Sequence, residues 1–84
     1  MGRFIYFYFN RDAPDKIAQI VPAHVRYWTT ANLKEYVGGP FVDHTGGLIS
    51  FVTSSLQEAI TIVEQDPFVF EDLIEQKWIK EWKA

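Results

Sequence analysis

Cysteine is absent from the chain, and histidine occurs only twice, at His24 and His44. Without cysteine there is no disulfide framework and no thiolate metal site, and two histidines outside any tight cluster do not make a structural zinc centre. Long apolar runs are missing as well. No stretch approaches the ~20 apolar residues that span a bilayer, and no charged leader followed by a long apolar segment opens the chain, so a soluble, cytoplasmic protein is expected. Excess positive charge is also lacking. Eight Lys and Arg against eleven Asp and Glu leave a formal charge of −3, with a pI near 5.2, and the resulting field repels phosphates and acidic lipid. Neither a nucleic-acid nor a membrane partner is expected. Lys77, Lys80 and Lys83 alternate with Glu75 and Glu81 as a solvated face would. No nucleophile elbow, phosphate loop or metal-ligand spacing occurs. With no repeat, low-complexity tract or linker, residues 1–84 read as one domain.

What the chain has in abundance is large apolar surface. The hydrophobic fraction is 48% and the aromatic fraction 17%, whereas a domain of this size buries only about 60% of its unfolded surface. Some of that surface is expected to lie between subunits, as in a homodimer. The segment from Arg3 to Phe9 makes the point locally, because aromatic and apolar residues occupy both parities of a β-forming run. Both faces of such a strand need cover: helices on one side, and most simply a second copy on the other.

After this strand, Asp12, Pro14 and Asp15 suit the start of a helix: Asp12 as a cap, Pro14 in the first turn, Asp15 near the positive end of the dipole. Pro22 removes an amide donor, which predicts a kink or short break, with the main helix restarting there and running towards Glu35. Val37 to Gly47 reads as a short strand ending in a Thr-Gly-Gly turn, and Leu48 to Thr53 as its hairpin partner. Ser55-Leu56-Gln57-Glu58 has the pattern of a capping box opening a second helix, with Leu56, Ala59, Ile60 and Val63 on one face and a stop at Asp66-Pro67. Periodicity leaves the tail from Phe68 to Trp82 open between helix and strand. A strand from about Leu73 to Trp82 completes the order βαββαβ, an α+β, ferredoxin-like fold with an antiparallel sheet.

One polar residue stands out against this background. Ile17, Ile20, Val21, Val25 and Trp28 recur at spacings of three and four, and His24 falls in the same stripe. An imidazole in an apolar wall needs hydrogen-bond partners, since an unsatisfied buried polar group costs about 1–3 kcal/mol. Asp43, beyond the Gly39-Pro40-Phe41 turn, is the nearest good candidate. The pair would either move protons, with His24 as base or acid, or leave His24 a satisfied core residue. Asp43 would orient the ring or act as a second proton carrier, and it also suits the cap of the hairpin turn before Thr45. His44, by the strand's two-residue period, points away from Asp43 and reads as a turn residue. Tyr6, Tyr8, Trp28, Phe41 and Phe68 would floor a pocket for a flat ring, or be core.

Pro22-Ala23-His24, Gly39-Pro40-Phe41-Val42-Asp43, Gly46-Gly47-Leu48-Ile49-Ser50-Phe51, Ser55-Leu56-Gln57-Glu58-Ala59 and Asp66-Pro67-Phe68 follow one another in an order that resembles YCII-related proteins across nearly the whole chain. The resemblance implies a ferredoxin-like fold pairing its sheets into a dimeric α+β barrel, with His24 and Asp43 as the active-site pair. It further implies cofactor-free acid–base chemistry on a small cyclic or aromatic substrate, as a lyase, isomerase or dehydrochlorinase. A non-catalytic binding domain and a cofactor-independent monooxygenase are the alternatives. Many relatives carry an arginine immediately before the Pro-Ala-His, where this chain has Val21.

Overall fold

The computed structural model describes residues 1–84. Four strands and three helices follow in the order β1 (Gly2–Asn10), α1 (Pro14–Thr30), β2 (Lys34–Pro40), β3 (Gly46–Thr53), α2 (Leu56–Glu64), α3 (Pro67–Phe70) and β4 (Ile74–Glu81). The sheet is ordered β2-β3-β1-β4, and every neighbouring pair is antiparallel. This is the expected βαββαβ arrangement, with the tail settled as a strand and the short α3 added before it.

Strand β1 lies between β3 and β4 in the sheet, and its two-residue period divides the protein into two layers. Phe4, Tyr6 and Tyr8 point towards the helices and are buried, joined in the core by Trp28 of α1, Ile49 and Phe51 of β3, and Ala59 and Val63 of α2. Removing that apolar area from water, at about 25 cal/mol per Å², is the main force holding helices to sheet. Tyr27 of α1 adds a specific tie by donating its hydroxyl to the Ile62 carbonyl of α2.

Helix α1 departs from expectation in three respects. It runs unbroken through Pro22, it ends at Thr30 and not near Glu35, and its N-cap is Ala13, with no side-chain cap from Asp12. The tolerance of proline has a local reason: Pro22 and Ala18, whose carbonyl would have received the missing amide, are both solvent-exposed. Water can satisfy that carbonyl. The helix stops where Asn32 adopts the left-handed conformation at φ 57°, a usual way for a helix to end.

The hairpin is shifted from its expected position. Its first strand is Lys34–Pro40, so Phe41, Val42 and Asp43 belong to the turn. Gly46 and Gly47 are required for a steric reason beyond turning: a Cβ on Gly46 would lie 1.8 Å from the Tyr8 carbonyl oxygen, and one on Gly47 would lie 2.6 Å from the Tyr8 hydroxyl. At α2, Ser55 accepts from the Glu58 amide at 3.2 Å, as the capping pattern requires. The Glu58 carboxylate, however, turns to the hydroxyls of Thr53 and Ser54 and does not close the box.

Candidate functional site

The site is built on one turn of α1. His24 and Trp28 are four residues apart, so their rings project from the same helix face one above the other. Both ring N–H groups meet a single carboxylate, that of Asp66: His24 Nδ1 lies 2.8 and 3.0 Å from its two oxygens, and Trp28 Nε1 donates at 2.9 Å. Asp66 is itself the N-cap of α3 and accepts the Phe68 amide at 2.9 Å. Its side chain is wholly buried, and these three donors compensate a carboxylate removed from water.

Asp66-Pro67-Phe68 therefore holds the imidazole from two directions. The carboxylate fixes Nδ1, while the Phe68 ring stacks on the imidazole at 4.0 Å with an interplanar angle of 10°. An ionised carboxylate only accepts, so the neutral imidazole bound to it carries its proton on Nδ1. Nε2 is then the lone-pair nitrogen. Its one hydrogen-bonding neighbour in the protein is the Tyr8 hydroxyl at 3.4 Å, a long contact that a substrate could displace or tighten. Burial, followed by the charges of Asp66 and Tyr36, pushes the Tyr8 phenol well above its ordinary range. Tyr8 consequently remains a hydroxyl donor at physiological pH. The space that lets its hydroxyl reach towards His24 is the space left by the missing side chain of Gly47.

His24 and Tyr8 both line a cavity of about 550 Å³, whose apolar wall includes Ile17, Val21, Val25, Trp28, Ile49 and Phe68. Polar groups enter from Tyr8, Asn10, His24, Thr29, Tyr36 and His44, and no lysine, arginine, aspartate or glutamate lines it. The volume lies within the range of small-molecule sites. No group of three or more His, Asp or Glu side chains comes together in a way that could hold a metal ion.

The sequence-based site is thus rearranged. His24, Tyr8, Trp28 and Phe68 line one cavity. Asp43 does not join them: it sits in the exposed hairpin turn and accepts from the Thr45 amide at 3.0 Å and the Thr45 hydroxyl at 2.7 Å. Those bonds hold its carboxyl below the ordinary range. An aspartate in such a turn is captured by backbone two residues ahead, which removes it as a partner for His24. Phe41 is absent from the cavity wall and packs instead on Phe9, on the opposite face of the sheet, at 5.7 Å. Tyr6 lies beneath the cavity, stacked between Tyr8 and Trp28, and is fully buried. Asp66 was the important omission. Its signal was an aspartate before Pro-Phe that reads equally well as a helix stop.

The YCII-related domain model matches residues 1–83. The chain belongs to the YCII-related family. No curated protein matches it by sequence. Among solved structures it is similar to the 5-chloro-2-hydroxyhydroquinone dehydrochlorinase of Burkholderia phenoliruptrix AC1100 in complex with 2,5-dihydroxybenzoquinone. That match has 24% identity and a TM-score of 0.86 over 98% of this chain and 94% of that one. It is also similar to SnoaB, a cofactor-independent oxygenase from Streptomyces nogalater, at 10% identity and a TM-score of 0.55 over 98% and 90% of the two chains. At these identities the likeness shows the fold, which is the ferredoxin-like α+β fold of this YCII-related chain. No helix of the chain is long and apolar enough to cross a membrane.

Proposed function

We propose that this YCII-related protein is an acid–base enzyme acting on a small hydroxylated ring, with His24 Nε2 as the base and Asp66 as the group that orients it. The observation carrying this reading is the buried Asp66 carboxylate on His24 Nδ1, which leaves the other nitrogen uncommitted to it on a ring that lines a largely apolar cavity. In such a step Nε2 takes a proton from a substrate hydroxyl or acidic C–H, and the imidazolium formed is stabilised by the carboxylate beside it. The Tyr8 hydroxyl supports oxygen-centred charge. For an elimination, the electron pair released by deprotonation expels a leaving group such as chloride; for an isomerisation, the same proton returns at another atom. The reaction needs no external oxidant in either case.

The flat walls of Phe68, Trp28 and Tyr36, and the fold shared with a dehydrochlorinase of a hydroxylated ring, support an aromatic or quinonoid substrate. The test is turnover of 5-chloro-2-hydroxyhydroquinone, followed by chloride release. His24→Gln is expected to lower kcat by about 10²–10⁴-fold, the usual contribution of a positioned base, with the fold retained by circular dichroism. Unchanged turnover in that variant would remove His24 from the chemistry. Oxygen uptake coupled to turnover would favour the cofactor-independent oxygenase reading. Ligand binding without turnover would favour a binding domain.

The reading includes a second copy of the chain. Register places Ile5, Phe7, Phe9, Leu48, Val52 and Trp78 on the sheet face opposite the helices, and Phe7 stacks on Trp78 at 5.1 Å. Two such faces meeting about a two-fold axis form a self-complementary apolar layer. Small molecules and a second copy are accordingly the proposed partners, in the cytoplasm and without a cofactor.

A further inference from the structure

His44 is the chain's only other histidine, and it sits in the turn between β2 and β3. It lines the same cavity as His24. Its backbone is in the left-handed region, at φ 62°, where a β-strand's alternation no longer governs side-chain direction. Two contacts hold it there: the His44 amide donates to the Phe41 carbonyl at 2.9 Å, and the Asp43 carboxylate clasps the amide and hydroxyl of Thr45 on the other side. Unlike His24, whose Nδ1 is committed to Asp66, the His44 imidazole has neither a hydrogen bond nor an ion pair within the protein.

Resting on the substrate reading above, we propose that His44 is a second substrate-contacting group, hydrogen-bonding an oxygen of the ring distinct from the one addressed by His24. Asp43 acts through it, as a positioning residue that presents the His44 ring to the cavity. The chemical class follows from the wall. With no lysine or arginine facing the cavity, two oxygen functions on separate edges of a flat ring are recognised by two imidazoles and the Tyr8 hydroxyl. An imidazole suits that role because it donates or accepts according to its tautomer and protonation state.

With only two histidines in the chain, nuclear magnetic resonance can follow both without ambiguity. The full chain is titrated with 2,5-dihydroxybenzoquinone, and the Cε1–H signals of His24 and His44 are recorded in the wild type, His44→Asn and Asp43→Ala. Asparagine tolerates the left-handed backbone, so His44→Asn keeps the turn while removing the ring. Both histidine signals are expected to move in the wild type. His44→Asn should bind about tenfold more weakly, as for one lost hydrogen bond. In Asp43→Ala the His44 shift should shrink while the His24 shift persists. Movement of His24 alone, with wild-type affinity in His44→Asn, would overturn the inference and leave the substrate reading standing. No movement of either signal would overturn both.

Discussion

At the scale of single residues, one carboxylate organises the site. Asp66 gathers the N–H groups of His24, Trp28 and Phe68, and its replacement by alanine would leave three donors facing an empty space. Asp66→Ala is expected to cost about 2–4 kcal/mol in urea unfolding, the magnitude for losing a buried, multiply bonded charged group. Tyr6 gives the opposite case. Its hydroxyl is buried and has no hydrogen-bond partner, and burial pushes its ionisation far above the ordinary phenol range. Tyr6→Phe removes an unsatisfied polar atom and keeps the ring, so stability should be unchanged or rise by about 1 kcal/mol. A clear loss of stability would show that the hydroxyl has a partner in solution. The His24 anomaly was legible in the sequence because a polar residue on an apolar stripe demands satisfaction. Its partner was not, since Asp66 lies 42 residues away and only the docking of α3 against α1 brings them together. The apparent candidate, Asp43, was nearer along the chain but locally engaged with Thr45.

At the scale of elements, helix α1 and the β1–β3 pairing position the chemistry, and each can be tested separately. Pro22 sits inside α1, where proline is about 3 kcal/mol less favourable than alanine. Pro22→Ala restores the amide donor on an exposed face, and a gain of about 1–3 kcal/mol is expected with the His24 contacts intact. No break interrupts the helix at Pro22, because proline's missing bond falls on the solvent side, information that the position of a proline alone does not carry. Gly46→Ala should be strongly destabilising, since the new Cβ would meet backbone at 1.8 Å. Gly47→Ala should lower both turnover and stability, since the new Cβ would displace the Tyr8 hydroxyl at 2.6 Å and press on the Gly39 carbonyl oxygen at 2.8 Å. The Gly-Gly pair was legible as a turn, but its function as a cleared space for Tyr8 depends on cross-strand register.

At the start of α2, the Glu58 carboxyl is held below its ordinary value of 4.5 by the hydroxyls of Thr53 and then Ser54. A carboxylate depressed in the folded state stabilises fully above its unfolded value and ceases to do so as pH falls through the folded one. Stability should therefore be insensitive to this group at neutral pH and decline in acid below about pH 4.5. Glu58→Gln should flatten that part of the acid unfolding curve. An identical acid limb in the variant would show that Thr53 and Ser54 do not hold the carboxylate in solution.

At the scale of the whole molecule, the sheet has one face beneath helices and an opposite face on which Phe7 of β1 stacks on Trp78 of the edge strand β4. The order βαββαβ was legible because turn chemistry and periodicity marked most boundaries, and β1 announced the second face by carrying large side chains at both parities. The hairpin boundary moved because Gly39-Pro40 closes the strand and does not open it. Trp78→Glu places a charge in the proposed self-complementary layer, and light scattering should report a monomer for the variant and a dimer for the wild type. A wild-type monomer at micromolar concentration would contradict the second-copy reading.

The central claim, that Asp66 and not Asp43 prepares His24 as a base, is tested most directly by the imidazole tautomer. In ¹⁵N-labelled protein at alkaline pH, where imidazoles are neutral, long-range ¹H–¹⁵N correlation spectra distinguish the two ring nitrogens. The structure predicts the proton on His24 Nδ1 in the wild type and in Asp43→Asn. In Asp66→Asn the side-chain amide can donate to Nδ1, and the proton should move to Nε2. A wild-type His24 already protonated on Nε2, or a tautomer that responds to Asp43→Asn and ignores Asp66→Asn, would contradict the account.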